Sequence, residues 1–464
     1  MSNLVRSTAI VVLLGLATAR ADATAPDTVR AEARDVFATL IGYQTSEGLG
    51  QVPVMVEDLA RRFLAAGFAP EDITVLPHGE TASLMVRYRG TGKGGRPVLL
   101  LAHMDVVTAR AEDWERDPFT LVEENGYFFG RGTADVKAEI ALLTETFLRL
   151  KAEGFVPSRD LVIALSGDEE TTMDTTRELA ARARQVFDPE FALNADGGGG
   201  LLHGDTGAPQ IYYVQGAEKA YATFEIVARN AGGHSSEPRD DNAIYALADA
   251  LRSLQAYRFP IMWNDWTLGS LRALAAVTPG ESGEAMRRFA DDPRDGEAAN
   301  ALAAEPSLIG RTRTTCVATM LTGGHAENAL PQSAAATVNC RIFPGQSLDD
   351  VKSTLQRVAG EKAEVRTVGN PFTSEPSPIR EDVMNAVTRA VHAVRPGVPI
   401  VTDMAPYATD GSIFRNAGIP TYGVSSQFSK RGDQFSHGLN ERISVESFYA
   451  GLDHWYVLLK AVAG

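Results

Sequence analysis

The run Val98-Leu99-Leu100-Leu101-Ala102-His103-Met104-Asp105 narrows the fold more than any other stretch of the chain. Its apolar residues show no polar alternation, which marks a strand buried on both faces rather than one wetted on one side. Such a strand needs helices above and below it, and the neighbouring sequence supplies them. Strand-length apolar runs at 83–88, 98–103, 161–167 and 191–194 alternate with stretches of helical period at 137–153 and 175–185, after helices at 28–40 and 54–67. The pattern predicts an α/β layer with a mostly parallel central sheet. In such sheets ligands gather beyond the carboxyl ends of the strands, where His103 and Asp105 stand.

Near residue 215 the pattern changes. Strands at 220–228, 314–321, 334–342 and 363–368 with helices at 242–256 and 348–358 give the order βαββαβ, a small α+β sheet with two helices on one face. An insertion at about 259–311, aromatic and apolar at first and then acidic and alanine-rich, reads as a lid or as helices packed on the surface. The α/β pattern resumes with a helix at 381–394, strands at 400–402 and 421–424, a loop at 409–412 and a terminal helix at 444–461. The expected organisation is a catalytic domain over 26–214 and 376–464, interrupted by a smaller domain over 215–375. A length of 464 residues exceeds what one ordinary core encloses, which agrees with two domains.

A net charge of −15 argues against a nucleic-acid surface. At the N-terminus, Arg6, the apolar stretch Ala9 to Leu16 and small residues up to Ala25 have the layout of a secretory signal over 1–21, with cleavage after Ala21 or a neighbouring alanine and a retained anchor as the rival reading. The expectation is an exported protein, periplasmic or secreted, with no stable membrane span after cleavage. Cys316 and Cys340 are the only cysteines and fall on two strands of one hairpin. A disulfide and two buried thiols stay open at this level, because cross-strand register is not fixed by sequence.

The chemistry concentrates in five short motifs. His103-Met104-Asp105 places an imidazole and a carboxylate two residues apart, so that Asp105 can hold the second ring nitrogen. Gly130-Arg131-Gly132-Thr133-Ala134-Asp135-Val136-Lys137 brings a carboxylate to a helix start; helix capping accounts for Asp135 but not for the glycine pair or the lysine. Asp168-Glu169-Glu170 follows an apolar strand, and a nearby cation would relieve the repulsion among its acids, with Glu170 as ligand and Glu169 handling protons. Asn194-Ala195-Asp196 precedes four glycines without the helix context of a phosphate loop. Ser436-His437-Gly438-Leu439-Asn440-Glu441 adds the last histidine. Imidazole and carboxylate are the donors zinc prefers, and five of them imply two ions sharing one ligand, hence hydrolysis by activated water.

Taken together and in this order, the motifs resemble the aminoacylase, glutamate carboxypeptidase and desuccinylase family of dinuclear zinc hydrolases. The resemblance implies that His103 and Asp196 hold one Zn2+ and Glu170 and His437 the other, with Asp135 bridging and cobalt or manganese as substitutes. It further implies Glu169 as general base, a cis peptide at Asp135-Val136, and a homodimer in which His234, in Gly232-Gly233-His234, reaches the partner's active site. Asn328, Arg341, Gly411 and Ser412 match positions that contact the substrate. Ala138 stands where the family usually has glycine. The implied substrate is a short peptide with a free carboxylate, with N-acyl amino acids as the alternative and a non-catalytic binding ectodomain as a remote one.

Overall fold

The computed structural model describes residues 24–464, so the expected signal segment and its cleavage point lie outside the described residues. The chain forms two compact units. One holds the residues up to Gly216 with Ser377–Val401 and Thr409–Gly464, and the other holds Ala217–Pro376 with Thr402–Ala408. No helix among the described residues is long and apolar enough to cross a membrane.

The first unit is built around a mixed sheet whose centre is parallel. Leu161–Ser166, Val98–His103, Phe191–Asn194 and Thr421–Gly423 lie side by side in that order and all run the same way. Every residue of Val98–His103 and Leu161–Ser166 is buried, as the unbroken apolar runs require of strands covered on both faces. Thr81–Tyr88 and then Ile73–His78 extend the sheet antiparallel on one side. Register aligns the ends of the central strands. His103 pairs with Ser166 and Leu101 with Asn194, so the residues just after each strand emerge at one edge of the sheet.

Helices Lys137–Ala152 and Val445–Ala463 are tied together by a buried carboxylate. Glu139 accepts from Trp455 Nε1 at 2.6 Å and from the Ser426 amide at 2.7 Å, and it also takes both neighbouring serine hydroxyls. A buried acid is tolerable only when its oxygens are satisfied in this way.

The second unit carries a four-stranded antiparallel sheet in the order Thr315–Gly323, Ser333–Ile342, Ala220–Arg229, Ala363–Val368. Alternate residues of Ser333–Ile342 are buried and face helices Ala243–Ala256 and Leu348–Ala359 around Phe224, Val338, Leu247 and Leu355. Cys316 and Cys340 are direct cross-strand partners and form a disulfide. The insertion folds into helices Asp265–Val277, Gly280–Asp291 and Gly296–Ala303, which bury Trp266, Leu271 and Phe289. The first of these starts with a capping box between Asn264 and Thr267.

Candidate metal centre

Five side chains from distant parts of the first unit converge at the sheet edge. His103 closes its strand with Nδ1 donating to the Asp105 main-chain carbonyl at 3.0 Å. That bond leaves the Nε2 lone pair facing the site, 2.9 Å from Asp135 Oδ1 and 3.9 Å from Asp196 Oδ2. The other oxygen of Asp135 lies 3.0 Å from His437 Nε2, which is itself 2.9 Å from Glu170 Oε1. Asp135 thus presents one oxygen to each imidazole, the arrangement of a carboxylate shared between two positions. Its peptide bond to Val136 is cis.

The acids following Leu161–Ser166 divide three tasks. Asp168 turns away to cap helix Asp174–Val186, accepting from the Asp174 amide at 2.7 Å and the Thr175 amide at 3.1 Å. Glu169 and Glu170 face the site, and their amides donate to the two oxygens of Asp105 at 3.1 and 3.0 Å. The Asp105 carboxylate therefore positions the Glu169-Glu170 backbone. It also sits 3.6 Å from His103 Nδ1, beside the Asp105 carbonyl that takes the ring's hydrogen bond at 3.0 Å.

Glu441, fully buried, fixes the loop that carries Asp135. It accepts from the amides of Gly132, Ala134 and Asp135 at 3.1, 2.7 and 3.0 Å and pairs with Arg131 at 2.6 Å. Arg131 also donates to the Gly438 carbonyl at 3.1 Å, joining this loop to the one that carries His437. Asp410 is held by the hydroxyls of Ser166 and Thr176. Glu441 closes one of the sequence motifs and Asp410 lies in the expected loop at 409–412; nothing in the sequence marked the clamp of Arg131.

The electrostatics are those of a cation site. Burial first, and then the nearby acids, push the carboxyls of Glu169 and Asp196 well above their ordinary values. Burial likewise lifts Asp410 to about 6. Hydrogen bonds to Asp135 and Glu170 raise His437 to about 10. So many buried acids around two imidazoles are costly without positive charge between them. His103, Asp135 and Glu170 already bring donor atoms within 4.8 Å of one another. The nitrogen and oxygen donors fit the demands of zinc or a similar divalent ion.

Residues 99–461 match the model of Peptidase family M20/M25/M40. The chain belongs to that family. As a member of family M20/M25/M40 it is a metallopeptidase or amidohydrolase type of hydrolase, related to peptidases, dipeptidases and aminoacylases. It is 29% identical over 382 residues to the N-fatty-acyl-amino acid synthase/hydrolase PM20D1 of Xenopus tropicalis, covering 79% of this chain and 72% of that protein. It is 26% identical over 427 residues to aminoacylase-1 of Mus musculus, covering 90% and 92%. The fold matches an M20 family metallo-carboxypeptidase, Sso-CP2 of Sulfolobus solfataricus, with a TM-score of 0.70 and 16% identity, over 93% of this chain and 99% of the other.

The remaining expected residues of this M20/M25/M40 member are distributed over both units. Gly411 and Ser412 are buried at the start of helix Gly411–Asn416, where a loop was expected, and the Ser412 hydroxyl donates to the Thr409 carbonyl at 2.9 Å. His234, Asn328 and Arg341 belong to the second unit. Strand Gly233–His234 pairs with Ala329–Leu330, which brings His234 beside Asn328; the Ser235 amide donates to the Asn328 carbonyl at 3.1 Å. Arg341 lies over the ring of Tyr221 at 4.7 Å. The glycines after Asp196 have a packing reason. A side chain at Gly200 would meet the Phe428 ring, and one at Gly198 the carbonyls of Gly423 and Tyr213.

Proposed function

We propose that this chain is an exported, dinuclear zinc amidohydrolase that cleaves amide bonds of short peptides bearing a free carboxylate. The observation that carries the reading is Asp135, whose two oxygens face His103 and His437 separately. His103 and Asp196 would hold one ion and Glu170 and His437 the other, with Asp135 between them. Bound zinc supplies Lewis acidity toward the carbonyl and lowers the pKa of water. Glu169 takes the proton of the attacking water and returns it to the amine nitrogen as the C–N bond breaks. Its buried, acid-rich surroundings favour the protonated form it must pass through. Arg341 offers the planar fork that pairs with a substrate carboxylate.

His234 is assigned to the oxyanion in a homodimer, reaching it from the second copy. Its Nδ1 accepts from the Ser236 amide at 3.2 Å, which leaves the proton on Nε2 as the donor that role needs. The similarity to a protein named for N-fatty-acyl amino acids favours N-acyl amino acids as the second substrate class.

Glu169→Gln tests the core of the reading. Turnover should fall by about 10^2–10^4-fold with metal content unchanged. Near-normal turnover with metal bound would remove Glu169 as the base. A screen of dipeptides and acylated amino acids, with chelated controls, separates the two substrate classes. N-terminal sequencing of the mature protein should read from Asp22 if the chain is exported and cleaved.

A further inference from the structure

The second unit contains a cavity of about 470 Å³ between the end of helix Ala243–Ala256 and the start of strand Thr315–Gly323. Its walls include Leu254, Phe259 and Ile309, and three arginines, Arg252, Arg258 and Arg313, with no carboxylate among its lining residues. In a chain with 59 acidic and 44 basic residues that absence is a local reversal of the overall charge. Arg313 is 4% exposed, and its Nε and Nη2 are buried without a hydrogen-bond acceptor. Its Nη1 reaches only the Phe259 carbonyl, at 3.5 Å. Arg258 satisfies one nitrogen on the carbonyls of Gln255 and Tyr257 at 2.9 and 3.1 Å, and neither it nor Arg252 makes an ion pair among the described residues.

A buried guanidinium with two orphaned nitrogens is costly, and a second cation nearby adds to the cost. Burial, and after it the charge of Arg258, disfavours the cation of Arg313. An anion would reverse both terms, since a guanidinium binds a carboxylate through two parallel hydrogen bonds. The volume is that of a small-molecule site, and such sites combine apolar walls with a few polar anchors.

We propose that this cavity binds an amphipathic monocarboxylate, with its head between Arg313 and Arg258 and its apolar chain against Leu254, Phe259 and Ile309. The site lies wholly within the second unit and uses none of the residues assigned to the metal centre, so it stands or falls independently of the catalytic reading.

Isothermal titration of the full, metal-replete chain with octanoate, 1-octanol and inorganic phosphate tests it. Octanoate should bind one per chain, with octanol and phosphate at least about 10-fold weaker, because each lacks one half of the recognition. Arg258→Gln, on the exposed rim, should weaken octanoate by about 10-fold or more while leaving hydrolysis unchanged. Arg313→Gln, checked for folding by circular dichroism, should do the same. Octanoate binding unaltered in both variants, no binding at millimolar concentration, or phosphate binding as tightly as octanoate would each overturn the assignment.

Discussion

Glu441 shows how one carboxylate can hold a site it does not enter. It takes three amides of the loop that ends in Asp135 and the guanidinium of Arg131, with no water-exposed surface of its own. Glu441→Gln keeps the shape but substitutes a donor for one acceptor, so at least one amide or Arg131 loses its partner. We expect metal affinity to fall by about 10–100-fold, measured by competition with a chelator, as for other groups that orient metal ligands from behind. Asp105→Asn should act on the neighbouring motif. One of the Glu169 and Glu170 amides would face an NH2 group, and kcat should drop while bound metal remains; an unchanged kcat would deny Asp105 its positioning role. Strand Val98–His103 ends before Asp105, so the contact of its carboxylate with the Glu169 and Glu170 amides had no signal in strand alternation. His103, Asp135, Glu170 and Asp196 were legible because each follows an apolar run or a glycine turn that says where it emerges, whereas His437 follows a polar loop and was placed by the resemblance.

Among the elements, helices Asp27–Gly42 and Lys137–Ala152 meet with two acids between them. Glu145 is buried, and burial first, then the charge of Glu32, lifts its pKa from 4.5 to about 8. The folded chain therefore keeps a proton that the unfolded chain has lost between those two values. The stabilising contribution is complete below about 4.5 and declines as pH rises through 8. Glu145→Gln should raise Tm more at pH 8.5 than at pH 5.5, by calorimetry with metal present; equal shifts at both would show that the carboxyl titrates normally. In the second unit, the Cys316–Cys340 bridge closes a loop of sequence separation 24, a constraint worth about 3 kcal/mol on a chain-entropy estimate. Reduction should lower the melting temperature, and an unchanged one would mean the bridge is dispensable. Two of the strands that escaped sequence reading share a cause. Ile73–His78 is a half-exposed outer strand containing Pro77, and Gly199–Leu202 opens with two glycines, so neither carries the apolar signal of a buried strand.

At the scale of the whole molecule, the first unit is assembled from three stretches of chain, with Ala217–Pro376 inserted between them. The βαββαβ order of that insertion was legible because its strands alternate over a single buried face, whereas the assignment of Thr402–Ala408 to the second unit had no local signature. Chelation should abolish hydrolysis and lower the melting temperature of the first unit, since an ion bound only by the folded state stabilises it by mass action. Activity that survives exhaustive chelation would remove metal from the mechanism.

The pairing of Arg131 with Glu441 spans 310 residues. A ribosome making this chain releases the Asp135 loop long before the acid that shapes it, and His437 is equally late. Nascent polypeptide can therefore acquire no properly formed ion cradle until Glu441 itself has been made. A chain that stops just before Glu441, and so lacks helix Val445–Ala463 as well, should translate normally and never charge with metal.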